Sequence, residues 1–147
     1  MSSILIVDDE AGVREVLSRW LAVEGYEIRE ADTAEAALAA MARAPADVVL
    51  CDVEMPGQGG LWLAAQLRDR YPTSAIVLAT ALDSVPPATS LQSGIVEYLV
   101  KPFDRANVVS AVEHGVRWHV DAVERSRKPA PARGSMSTWL DSELDKK

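Results

Sequence analysis

Val48-Val49-Leu50-Cys51-Asp52-Val53-Glu54-Met55-Pro56-Gly57 carries an unbroken apolar run that ends on an acid and then turns at a proline and a glycine. Apolar residues without alternation read as a strand buried on both faces, the habit of parallel sheets covered by helices. A lone carboxylate at the end of such a strand is unfavourable unless something pairs with it. Other apolar runs also end on polar groups: Ile4-Leu5-Ile6-Val7 in Asp8-Asp9, Ile76-Val77-Leu78-Ala79 in Thr80, and Tyr98-Leu99-Val100 in Lys101-Pro102. As parallel neighbours, these strands bring all the polar groups to one edge of one sheet. Asp52 is then a candidate for chemistry rather than for packing.

Between the runs the pattern turns helical. Val13, Val16, Leu17, Trp20 and Leu21 follow the spacing of an amphipathic helix that stops near Gly25. A short strand follows over Tyr26–Glu30, then an Ala-rich helix that Asp32-Thr33-Ala34-Glu35 opens as a capping box and Pro45 closes. Leu61, Ala64, Ala65 and Arg68 mark the face of the next helix, a weak proline-started helix leads to Gly94, and a long one runs from Asp104 to about Arg127. Strands joined by helical crossovers predict a parallel sheet with helices on both faces, which takes its ligands outside the carboxyl ends of its strands. Trp20, Trp62 and Trp118 are expected to pack rather than to hold a ligand.

The chain has 147 residues, 48% of them hydrophobic and 25% charged, which suits one domain with a well-buried core. No apolar stretch approaches the roughly 18 residues that span a bilayer, and no basic leader precedes the first strand. Cys51 is the single cysteine, so no internal disulfide forms; a small core residue in a cytoplasmic protein is expected. Residues 1–120 hold 17 acids and 9 bases, a charge balance that argues against nucleic-acid binding by this chain. Residues 128–134, with two prolines and a glycine, read as a linker, and the tail beyond them is too short to fold alone. The domain is therefore assigned to residues 1–127 and the linker and tail to 128–147.

Three carboxylates at one sheet edge call for a cation, and Mg²⁺ favours such hard oxygen ligands alongside phosphate oxygens. A carboxylate can also attack phosphorus to give an aspartyl phosphate, with a lysine and a hydroxyl holding the phosphoryl oxygens.

Taken in order, Asp8-Asp9, Asp52 with Met55-Pro56 and Gly60 behind it, Thr80-Ala81, Tyr98 and Lys101-Pro102-Phe103 resemble the receiver domain of bacterial response regulators over residues 3 to about 120. The resemblance implies a flavodoxin-like fold of strand order 2-1-3-4-5. It implies that Asp52 accepts the phosphoryl group, that Asp8, Asp9, Asp52 and the Glu54 backbone carbonyl form the Mg²⁺ pocket, and that Thr80 and Lys101 hold the phosphoryl oxygens. Tyr98 becomes the switch aromatic that follows Thr80, and the Lys101-Pro102 bond becomes cis. The implied partners are a sensor histidine kinase or phosphotransfer protein and a downstream target, met through the face around the last strand and its flanking helices. On this reading the chain is no enzyme beyond its own phosphorylation and dephosphorylation, and it resembles a single-domain form. A receiver whose output domain is absent is the alternative. A phosphotransferase of the haloacid dehalogenase type would need an aspartate where Glu54 stands.

Three features depart from the family pattern or extend it. The segment from Thr80 to Gly94 is one residue short, and Pro86-Pro87 predicts a short or displaced helix there. Glu54 and Leu82 occupy the positions that tune phosphoryl lifetime in the family. On the last helix, Val109, Val112, Val116, His119 and Val123 form a stripe that fits either a docked core face or the seam of a homodimer. His119 is expected to pack, and His114 to lie away from any acidic pocket.

Overall fold

The structure, a computed structural model, describes residues 1–81 and 94–127. Five strands, β1 (Ser3–Val7), β2 (Glu27–Ala31), β3 (Val48–Asp52), β4 (Ala75–Ala81) and β5 (Ile95–Lys101), form one parallel sheet of order β2-β1-β3-β4-β5. Helices α1 (Ala11–Val23), α2 (Ala34–Arg43), α3 (Gly60–Arg70) and α4 (Arg105–Arg127) cover it on both faces. The α/β architecture and the expected strand order are thus observed. The helix expected before Gly94 and the tail beyond residue 127 lie outside the described residues.

Alternation along the strands divides the core into two layers. Leu5, Val7, Val49, Cys51, Ile76 and Leu78 face α2 and α3, where Met41, Leu63 and Leu67 meet them. Ile4, Ile6, Val48, Leu50 and Val77 face the other way, onto Leu17 and Leu21 of α1 and Val108 and Val112 of α4. β3 is buried at all five positions, as its unbroken apolar run predicts, whereas the edge strand β2 keeps Glu27 and Glu30 exposed. Trp20, Trp62 and Trp118 pack half-buried against these layers.

Several local readings need correction. β2 starts and ends one residue later than the alternation from Tyr26 indicates. Thr33 caps α2 by accepting from the Ala36 N–H, and Glu35 stands one position too early to return the bond of a capping box. α3 buries Gly60, Leu63, Ala64 and Leu67 rather than the Leu61, Ala64, Ala65 and Arg68 face; Leu61 is 44% exposed. α1 does end where expected, with Gly25 at φ 95°, a conformation that glycine adopts without strain.

The stripe on α4 is largely used inside the chain. Val112 is fully buried, and Val109 and Val116 pack against the same layer. His119 is a polar anchor rather than a packing residue: its Nδ1 lies 2.6 Å from the Thr73 carbonyl oxygen and its Nε2 3.2 Å from Asp47 Oδ1. Asp47 in turn accepts from the Ser3 N–H, so one side chain ties α4 to the amino edge of the sheet. His114 sits 3.7 Å from Glu97 Oε1, so an acid does lie beside it. None of the helices among the described residues is long and apolar enough to cross a membrane.

Removing the His119 anchor leaves the Thr73 carbonyl and Asp47 without their partner on α4. His119→Ala is expected to lower unfolding free energy by about 1–3 kcal/mol, read by urea denaturation, with the secondary structure unchanged. An unaltered midpoint would show that the His119 anchor contributes nothing to the docking of α4.

Candidate functional site

The strand registers bring the polar run-ends together. Val7 pairs with Cys51, so Asp8 and Asp52 stand level one step further on, and Asp52 pairs with Ala79, just before Thr80. Ala81 pairs with Lys101, which brings the lysine to the same edge. Ligand atoms of Asp8, Asp9 and Asp52 lie within 4.8 Å of one another. Lys101 Nζ lies 3.3 Å from Asp52 Oδ2 and 3.8 Å from Asp8 Oδ2. Its bond to Pro102 is cis, as expected.

Each carboxylate is also held by its own backbone. Asp8 Oδ1 accepts the Glu10 N–H at 2.9 Å, and Asp52 Oδ1 accepts the Glu54 N–H at 3.2 Å, so both acids close a tight turn at the end of their strands. Asp52 is no helix cap; Gly59 occupies that position for α3. The Glu54 side chain is exposed on the turn whose N–H holds Asp52. Gly60 folds the loop back: its N–H reaches the Val53 carbonyl at 3.0 Å, and a Cβ there would run into the Asp52 carbonyl oxygen and lie 2.8 Å from Val53 Cα. A side chain at position 60 would push the acid-bearing turn out of place.

The electrostatics are uneven. Asp8 and Asp52 are 2% and 4% exposed, and one lysine serves both. A buried ion keeps a penalty of several kcal/mol even after relaxation. Burial raises the Asp52 pKa against the pull of the Glu54 N–H and of Lys101, and the nearby Asp8 pushes it the same way. Asp8 is raised in the same manner, chiefly by burial and further by Asp9 and Glu10. Burial disfavours the Lys101 ammonium, yet Asp52 and Asp8 outweigh it and hold its pKa above the ordinary lysine value. The Cys51 thiol, fully buried, is pushed up by burial and by the same two acids, which makes it an inert core group. Oxygen donors in this number, two of them short of positive charge, fit a hard divalent cation such as Mg²⁺.

Thr80 is fully buried, and its hydroxyl makes one long bond, 3.3 Å, to the Ala81 carbonyl oxygen. Tyr98, level with Leu78 on β5, packs half-buried against the layer under α2 and α3. Asp8, Asp9, Asp52, Thr80 and Lys101 therefore stand together at one edge with Tyr98 beside them, and Leu82 lies outside the described residues. Arg14 was not among the residues singled out by sequence: its Nη1 donates to the Asp8 carbonyl oxygen at 2.6 Å, and its Nε to Glu30 Oε1 at 3.1 Å. No spacing signal marks it, because its partners lie six and sixteen positions away on other elements. Beside Lys101, an apolar groove of about 480 Å³ runs between α1 and the β5–α4 turn, lined by Val13, Val16, Trp20 and Phe103 among others.

The family model of the response regulator receiver domain matches residues 4–113. The chain belongs to that family. The response regulator protein FleR of Pseudomonas aeruginosa is 38% identical over 112 residues, which is 76% of this chain and 24% of FleR. The transcriptional regulatory protein AruR of the same species is 32% identical over 143 residues, 93% of this chain and 58% of AruR. The receiver thus spans from about a quarter to just over half of these relatives. Among solved structures, the response regulator TrrA of Thermotoga maritima in complex with Mg²⁺ and BeF aligns with a TM-score of 0.71 at 36% identity, covering 78% of this chain and 99% of TrrA.

Because both buried acids have folded-state pKa values above the ordinary 3.8, the stability each contributes is present in full below that value and is lost as pH rises through the folded value. At neutral pH the pair works against folding. Asp52→Asn is therefore expected to raise the melting temperature in divalent-free buffer at pH 7, and to raise it less at pH 4; an unchanged or lower value at pH 7 would contradict this. Gly60→Ala is expected to destabilise by about 1–3 kcal/mol, measured by urea denaturation.

Proposed function

We propose that this receiver is a phosphorylation-controlled signalling switch. It accepts a phosphoryl group on Asp52 from a sensor histidine kinase or phosphotransfer protein, in a reaction that depends on Mg²⁺. The observation that carries this reading is the buried Asp52 carboxylate, 3.3 Å from Lys101 and clustered with Asp8 and Asp9. Bound Mg²⁺ would neutralise phosphoryl oxygens and the clustered acids; Asp8, Asp9, Asp52 and the Glu54 carbonyl would hold it.

The chain's own groups account for the rest. A carboxylate oxygen of Asp52 attacks phosphorus in line while the bond from phosphorus to the donor's imidazole nitrogen breaks. Lys101 pairs with one phosphoryl oxygen and Thr80 donates its hydroxyl to another, giving up its long bond to Ala81. Thr80 then moves toward Asp52, Tyr98 follows into the vacated space, and the surface of β5 and its flanking helices changes its preferred partner. The apolar groove beside Lys101 supports docking of a donor protein next to the phosphoacceptor. Exposed Val120 leaves the far end of α4 available for a homodimer after the nearer stripe has been used internally. On this reading the chain catalyses no reaction beyond its own phosphorylation and hydrolysis, and acts in the cytoplasm. Its short span of its relatives favours a second reading, in which the same switch is the receiver part of a longer regulator.

Intact-mass measurement after incubation with acetyl phosphate and Mg²⁺ tests the switch. Wild type should gain one phosphoryl group, lost on adding a chelator before the donor and absent from Asp52→Ala. No adduct in wild type, or an adduct that survives Asp52→Ala, would overturn the assignment. A further comparison isolates donor docking: Val13→Glu should slow transfer from a phosphorylated donor protein about tenfold or more while leaving acetyl phosphate labelling unchanged.

A further inference from the structure

Arg14 holds the cation pocket from behind. It leaves α1 one turn after the Asp8-Asp9-Glu10 turn, with its side chain 18% exposed, and its guanidinium bonds in two directions. Nη1 donates to the Asp8 carbonyl oxygen at 2.6 Å, and Nε donates to Glu30 Oε1 at 3.1 Å. Glu30 is held in turn by its other oxygen, which accepts from the Ser18 hydroxyl at 2.8 Å, one turn further along α1. The residue after Glu30 completes the frame, since the Asp8 N–H donates to the Ala31 carbonyl at 3.2 Å. Asp8 is therefore gripped at both sides of its backbone from β2, once directly through Ala31 and once through Glu30 and Arg14.

From this frame we infer that Arg14, aligned by Glu30 and Ser18, is a positioning residue that sets the Asp8-Asp9 carboxylates for the divalent cation. The inference rests on the proposed Mg²⁺ pocket and names what preorganises it. A charged donor on a carbonyl makes a stronger bond than a neutral one, and a guanidinium can bridge two acceptors in a fixed plane where an ammonium cannot. The charge itself contributes little across the site, because Glu30 pairs with it. Geometry is what the fork supplies. Outer partners of this kind commonly change metal affinity by about 10–100-fold when removed.

The test compares Mg²⁺ affinity, by isothermal titration calorimetry, with the rate of labelling by acetyl phosphate at saturating Mg²⁺. Arg14→Met should weaken Mg²⁺ binding at least about tenfold while the labelling rate at saturating Mg²⁺ stays within about twofold of wild type. Arg14→Lys, which keeps the charge and loses the fork, should show the same weakening. Glu30→Gln and Ser18→Ala, milder changes on the exposed end of the frame, should weaken binding in the same direction and report on the frame should the Arg14 variants fail to fold. Wild-type affinity in Arg14→Met or, where that variant does not fold, in Glu30→Gln and Ser18→Ala overturns the inference, as does full rescue by Arg14→Lys, which would assign the effect to charge. A wild-type protein that binds no Mg²⁺ contradicts the proposed pocket itself, and so separates the two failures.

Discussion

Two buried carboxylates sharing one lysine are the constraint around which this molecule is arranged. Asp8 and Asp52 stand side by side at the end of adjacent central strands, and the ammonium of Lys101 approaches both from a third. An ion pair in such a place ordinarily gains about what its desolvation loses. Here a third acid, Asp9, tips the balance toward negative charge. The folded chain alone is left with unmet negative potential at a point where a divalent cation and a phosphoryl group could meet it. What would be a defect in a structural core is a poised site if the proposed phosphoryl transfer takes place there.

The sheet makes this arrangement rigid. β3 is buried on both faces, so Asp52 cannot relax toward solvent without moving the strand that carries it. The turn after it is locked by the Glu54 N–H on one side and by the close approach of Gly60 on the other. Asp8 is fixed through β2 and Arg14. Between the acids and the outer face of β5 lie the Thr80 hydroxyl, on its long bond to the Ala81 carbonyl, and the half-buried Tyr98 ring. On the proposed reading, these two residues would carry a change at the acids to the surface of β5.

Much of this was legible in the sequence because burial on both faces leaves an unmistakable mark. The runs ending at Asp8, Asp52 and Thr80 gave the central strands and the site edge together. The motif order around Asp52 and Lys101 pointed to the family and to the cis bond. Less legible was anything decided by contacts between distant elements. The face of α3 was misassigned because Leu61, Trp62 and Leu63 are apolar in succession, and only docking chooses among them. The α4 stripe fitted two partners, and the sheet took most of it. Arg14, Glu30, Asp47 and His119 look like ordinary surface residues until the fold brings their partners near.

The geometry of Asp8, Asp9 and Asp52 implies an acidic cluster short of positive charge. Thermal unfolding followed against Mg²⁺ concentration at constant ionic strength reads this directly. The wild type should show a saturable rise in melting temperature, worth about 2.7 kcal/mol at a hundredfold excess over the dissociation constant, and the response should be flat when Asp9 and Asp52 are both changed to Asn. A flat response in the wild type, or an equal rise in the double variant, would contradict this reading of the cluster.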